Sequence, residues 1–117
     1  MKKILLVFIC VLIPQISIAE DCFFLAEMAG YLTRAGIFCE FSSEIDPTVR
    51  QLLTDAKNGT GGTNCAPIDD RTISIAVRRG IMQFTEFQKN QPVHKLCLQS
   101  YETYKQVRKQ INGANVN

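Results

Sequence analysis

Apolar residues recur at three- and four-residue spacing in four stretches of this chain, and each stretch reads as an amphipathic helix. The first predicted helix runs from about Asp21, a candidate N-cap, to about Phe41, with Phe24, Met28, Tyr31, Leu32, Ala35 and Cys39 forming its apolar stripe. Gly30 and Gly36 interrupt it. Each weakens a helix by up to about 1 kcal/mol relative to alanine, and each suits the close approach of another helix better than a turn. A break near Gly36 stays open at this point. The second predicted helix starts with Asp46 as cap and Pro47 at the first helical position, and it stops at Asn58-Gly59. Val49, Leu52, Leu53 and Ala56 make its apolar side.

The third predicted helix spans about Asp69-Asp70 to Lys89, with Ile73, Val77, Ile81, Phe84 and Gln88 in line and Phe87 beside them. Its opening, Thr72 to Val77, also alternates like a strand. That alternation ends at Arg78 and finds no second strand to pair with, so the helix is preferred. The fourth begins near Pro92 and carries Val93, Leu96, Cys97, Tyr101, Tyr104, Val107 and Ile111. Asn112-Gly113 is expected to end it, with 114–117 as a frayed tail. Four such helices with short connections give an all-α fold, a small antiparallel bundle.

The N-terminus changes the picture. Lys2 and Lys3 precede an apolar run from Ile4 to Ile13, Pro14 closes it, and Ser17 and Ala19 occupy the two small-residue positions before Glu20. This is the pattern of a cleavable secretory signal over residues 1–19, leaving one domain at 20–117 in the periplasm or outside the cell. The run is about half the length needed to span a bilayer, so no permanent membrane anchor is expected.

Cleavage would remove two of the 13 Lys+Arg and none of the 11 Asp+Glu, leaving no net charge. A strongly basic nucleic-acid binder is therefore not expected. The charge is nevertheless divided. Residues 20–70 hold nine acids and three bases, whereas 71–117 hold eight bases and two acids. Either the halves attract each other within the fold, or the basic half faces an acidic partner.

Four cysteines remain after the signal, at 22, 39, 65 and 97. Their wide spacing lacks the paired Cys-x₂₋₄-Cys units of a zinc site, and an even number in an exported chain favours two disulfides. On an unbroken first helix, Cys22 and Cys39 would sit about 25 Å apart, far beyond disulfide reach. Following the bundle up and down then favours Cys22–Cys65 and Cys39–Cys97.

Candidate chemistry is sparse. His94 is the sole histidine and falls in the first turn of the fourth helix. Asp69-Asp70 and Glu20-Asp21 stand at expected helix starts, where carboxylates offset the helix dipole. The glycine-rich stretch from Asn58 to Pro67 lacks the Gly-Lys-Ser/Thr of a phosphate loop. No enzyme, metal or cofactor is expected. The residues best suited to contacting a partner are Arg78 and Arg79 on the third helix, and Tyr101, Tyr104, Lys105 and Arg108 on the fourth. Tyrosine and arginine are favoured interface types, although the tyrosines suit core packing better still. In outline the chain is similar to small periplasmic helical proteins such as acid-stress chaperones and immunity proteins, a likeness that carries no functional residues across. The expectation is a non-enzymatic protein that binds a protein partner, with an accessory role in an envelope assembly as the alternative. Nothing in the sequence sets the oligomeric state.

Overall fold

A computed structural model describes residues 21–60 and 65–116. The expected signal, residues 1–19, lies outside the described residues, as do 61–64 of the glycine-rich stretch and Asn117. Four helices follow in order: α1 (Phe23–Cys39), α2 (Ser42–Asn58), α3 (Asp70–Asn90) and α4 (Val93–Val116). The segment that alternates from Thr72 to Val77 is helical, as expected.

Helix α1 is continuous through both glycines. At its start the Asp21 carboxylate accepts a hydrogen bond from the Phe23 N–H at 3.1 Å. It ends two residues before Phe41, because Glu40 adopts the left-handed conformation (φ 65°) and Phe41 N–H closes back on the Gly36 carbonyl at 2.8 Å. The two glycines point about 120° apart, since six residues advance 100° each, and each serves a different neighbour. A Cβ on Gly30 would fall on the Val77 carbonyl of α3, whereas one on Gly36 would meet Ser42 Cα of α2 at 3.2 Å. Gly80 completes the α1–α3 contact, its own missing Cβ leaving room for the Glu27 carbonyl. Helix α1 is thus the central helix, with burial at Leu25, Ala26, Ala29, Gly30, Tyr31, Leu32, Ala35 and Gly36. Phe24, expected in its apolar stripe, is instead 52% exposed.

Three other expectations are corrected. Helix α2 starts at Ser42, so Pro47 lies inside it rather than at the first helical position, and Asp46 is not the cap. The first turn forms because Ile45 is driven into the core against α1. Pro47 offers no N–H to the Ser43 carbonyl, and the next carbonyl, that of Glu44, accepts from the Tyr104 hydroxyl at 3.0 Å. Helix α4 continues through Asn112-Gly113 to Val116, since a glycine weakens a helix without obliging it to stop. On α3 the buried line is Ala76, Gly80 and Phe84, with Ile73 and Val77 packed beside it. Small residues hold the centre there because the helix axes approach too closely for large ones. Asp69, expected at the helix start, caps α3 by accepting from Thr72 N–H at 2.8 Å, and Gly59 (φ 72°) ends α2 as expected.

Both disulfides are formed, Cys22–Cys65 and Cys39–Cys97, with Cα separations of 5.0 and 5.7 Å. They tie the two ends of α1, and the chain runs up α1, down α2, up α3 and down α4. Cys22 N–H also bonds the Ala66 carbonyl at 2.8 Å, and Ile68 N–H bonds that of Ala56 at 3.1 Å. The segment leading into α3 is therefore pinned to α1 and α2. Beneath it, buried Asp55 takes hydrogen bonds from the Gln51 amide at 2.9 Å and the Thr60 hydroxyl at 2.8 Å.

Candidate functional site

Ser100 apart, the small residues that draw α3 onto α1 have no counterpart on α4. That helix faces the core with Leu96, Ser100, Tyr104 and Ile111, all buried, and with half-buried Tyr101 and Val107. Large side chains hold its axis away from α1. Because α3 closes in and α4 stands off, a groove opens between them. Its floor is Phe24, Glu27, Met28 and Tyr31 of α1, one bank is Gln83 and Phe87 of α3, and the other is Gln99 and Thr103 of α4. The groove holds about 250 Å³.

Tyr31 fixes the floor. Its hydroxyl shares a 3.0 Å hydrogen bond with Ser100, and its ring meets Phe84 and Phe87 edge-on, with centroids 5.5 and 6.2 Å away. Phe87 and Phe24 each leave much of the ring uncovered. The banks are the uncharged amides of Gln83 and Gln99, the Thr103 hydroxyl and the Phe87 ring. The one carboxylate, Glu27, lies 3.7 Å from the Arg79 guanidinium, which also sits over the Phe23 ring at 5.7 Å. Past Phe24 and Met28 a smaller cavity of about 80 Å³ continues the apolar path under α4, lined by Leu25, Leu52, Asp55, Val107, Gln110 and Ile111. On the far side of α4, Arg108 and Asn112 face Pro47, Thr48 and Gln51 across a separate pocket of about 250 Å³.

The six residues singled out from sequence fall in two places. Arg78 and Arg79 are exposed on α3; neither lines the groove, and Arg79 reaches it only through its pair with Glu27 of the floor. Tyr101, Tyr104, Lys105 and Arg108 gather instead where α4 meets the start of α2. Tyr104 is fully buried, donating to the Glu44 carbonyl and accepting from Arg108 at 3.1 Å. Tyr101 packs edge-on against Phe41 and donates to the Glu44 carboxylate at 2.6 Å. That bond favours the protonated phenol and raises the Tyr101 pKa above its ordinary value. Lys105 lies over the Tyr101 ring at 5.5 Å and Arg108 over the Tyr104 ring at 5.2 Å. The tyrosines hold α4 in place, and the two cations cover them.

Sequence reasoning did not single out the groove residues Met28, Gln83, Phe87, Gln99 and Thr103 as a site. Phe24, Met28 and Phe87 carry an apolar period that suits a core or a groove equally well. The glutamines would have offered a signal: Gln99, Thr103, Gln106 and Gln110 form an uncharged stripe at helical spacing on a helix otherwise rich in charge.

Few direct ion pairs join the two halves of the divided chain. Of the four ion pairs among the described residues, only Glu27–Arg79 joins the acidic half to the basic half. Arg78, Lys95 and Lys109 are exposed, and among the described residues none has a carboxylate within ion-pair distance. Much of the basic half thus faces solvent. His94 is exposed, and among the described residues no three His, Cys, Asp or Glu side chains come together as a metal site. Also among the described residues, no helix is long and apolar enough to cross a membrane. Comparison with family models, curated proteins and solved structures gives no match.

Proposed function

We propose that this chain is an exported, non-enzymatic protein that acts by binding a protein partner, and that the partner's contact is the groove between α3 and α4. One observation carries the reading: a groove floored by Phe24, Glu27, Met28 and Tyr31 and banked by Gln83, Phe87, Gln99 and Thr103, with the Phe24 and Phe87 rings partly uncovered. Such a surface has apolar area to bury and polar groups to orient what it buries, the anatomy of a recognition site. Export is supported by the N-terminal charge and apolar pattern and by two disulfides, which persist in oxidising compartments. N-terminal sequencing of the mature protein, expected to begin at Glu20, tests that part.

The binding itself is tested in the source organism with a photo-crosslinking phenylalanine analogue at position 87, and with the same analogue at Lys109 as a control. The expected result is one stoichiometric adduct from position 87 and none from position 109. No adduct at position 87 refutes the reading. A set of several adducts belonging to one complex favours the assembly role instead.

A further inference from the structure

The smaller cavity under α4 carries one charged group at its wall. Phe24 and Gln110 are exposed and stand at its mouth, whereas Leu25, Leu52, Asp55 and Ile111 are buried within. Asp55 is only 3% exposed, and an aspartate is seldom buried so deeply without a cation beside it. Among the described residues it has no ion pair. Its hydrogen bonds from Gln51 and Thr60 both end on Oδ1, and no described residue donates to Oδ2. One oxygen of a buried carboxylate therefore keeps its capacity to accept.

Charge and shape together select an occupant. The cavity meets the groove at Phe24 and Met28, and the charged residues lining the two spaces are Asp55 and Glu27, both acids. Glu27 already lies beside Arg79, so Asp55 is the carboxylate left for a cation. With no lysine, arginine or histidine on either wall, an anion would meet only like charge. Asp55 lost its water when the chain folded, so an arriving cation bears only its own desolvation and gains an ion pair in a medium of low dielectric. The other walls are apolar and suit a hydrocarbon stem. At about 80 Å³ the cavity has roughly half the volume that takes a benzene ring, so it admits an unbranched chain and not an aromatic cation.

We infer that this cavity binds a primary ammonium group on an unbranched aliphatic stem, with the ammonium donating to Asp55 Oδ2 and the stem lying along Met28 and Val107. The site goes beyond the partner reading and does not depend on it. The same chemistry arrives in two forms, as a free alkylamine or as the end of a lysine side chain.

The test titrates mature, oxidised, ¹⁵N-labelled protein at pH 7 and fixed ionic strength with n-propyl- to n-hexylammonium chloride, following the amides of Leu52, Asp55, Val107 and Ile111. Saturation of one site is expected, with affinity rising by up to about fourfold per methylene. Hexanol, hexanoate and benzylammonium should each bind at least about tenfold more weakly than n-hexylammonium. Asp55→Asn keeps an oxygen for Gln51 and Thr60, and should weaken amine binding at least about tenfold while leaving hexanol within about twofold. Val107→Phe fills the cavity and should abolish amine binding. Circular dichroism and melting check that both variants fold.

Hexanol or hexanoate binding as tightly as the amine reduces the site to an apolar cavity and overturns the inference. So does a folded Asp55→Asn protein with full amine affinity, or shifts confined to exposed acids. If either variant fails to fold, the ranking of amine, alcohol and acid on the parent protein decides alone. Nα-acetyl-lysine methylamide separates the two forms: binding as tight as n-butylammonium's assigns the site to a protein's lysine, and weaker binding assigns it to a free alkylamine. Failure of every amine removes this site and leaves the protein-binding reading standing, since that reading is judged by the crosslink from position 87 in the groove.

Discussion

Replacing Gly80 by alanine should destabilise this protein, although the same change in an exposed helix interior stabilises by about 1 kcal/mol. A Cβ at Gly80 would fall on the Glu27 carbonyl oxygen and lie 2.6 Å from the Tyr31 nitrogen. Both are backbone atoms of α1, so no rotamer change relieves the clash. The α3 axis must retreat by about an ångström, which loosens the contact along Ala26, Gly30 and Ala76 together. Overpacking of this kind costs about 1–3 kcal/mol. With backbone on the opposing side the upper end applies, and subtracting the alanine gain leaves about 2 kcal/mol. For a domain under 100 residues that is a fall of roughly 8–16 °C in melting temperature.

Thermal and urea unfolding by circular dichroism, with both disulfides intact, measure the change directly. Gly30→Ala strains the same interface from the other side, so the double variant should lose less than the sum of the singles. Gly36→Ala is the control, since its Cβ would meet only Ser42 Cα at 3.2 Å and the end of the Ile45 side chain at 3.4 Å. It should stay within about 1 kcal/mol of the parent. A Gly80→Ala protein as stable as the parent, or more so, would refute the close approach of α1 and α3.

Three further outcomes are expected. In the chain-entropy relation the loops of 43 and 58 residues closed by the two disulfides each contribute about 4 kcal/mol, so the reduced mature protein should be largely unfolded by circular dichroism while either single Cys→Ser pair retains partial structure. Tyr104→Phe removes the donor to the Glu44 carbonyl and the acceptor for Arg108, and should cost about 1–2 kcal/mol in urea unfolding. The Thr72 N–H bond holds the Asp69 pKa below the ordinary carboxylate range, so its cap stabilises α3 above about pH 4 and is lost as pH falls through the lowered value. The melting temperature of Asp69→Ala should therefore lie below the parent's at pH 6, and the gap should narrow by pH 2.

Much of the fold could be read from local chemistry. Helical periodicity located all four helices, and the Asp69 cap and the Gly59 stop acted where they stand because each works within one turn of its own helix. The disulfide pairing followed from helix length and bundle topology together: an unbroken helix keeps Cys22 from Cys39, and the up-and-down path brings Cys65 to the start of α1 and Cys97 to its end. What sequence spacing could not supply was the distance between helix axes. Gly30 suited a close helix approach from the sequence, but its counterpart on α3, Gly80, comes to light only when the two helices are placed against each other. Pro47 was drawn inside α2 because burying Ile45 outweighed a local preference for the helix start.

Beyond the uncharged stripe of Gln99, Thr103, Gln106 and Gln110, the groove belongs to the tertiary level. Phe24, Met28 and Phe87 carry the same apolar pattern as the core, and no periodicity distinguishes a residue covered by a neighbour from one left at a gap. Here the gap exists because glycine and alanine bring α3 close to α1 while Leu96 and the tyrosines hold α4 away. A sequence specifies which face of a helix is apolar, and the volumes of side chains on several helices together decide whether that face ends up covered.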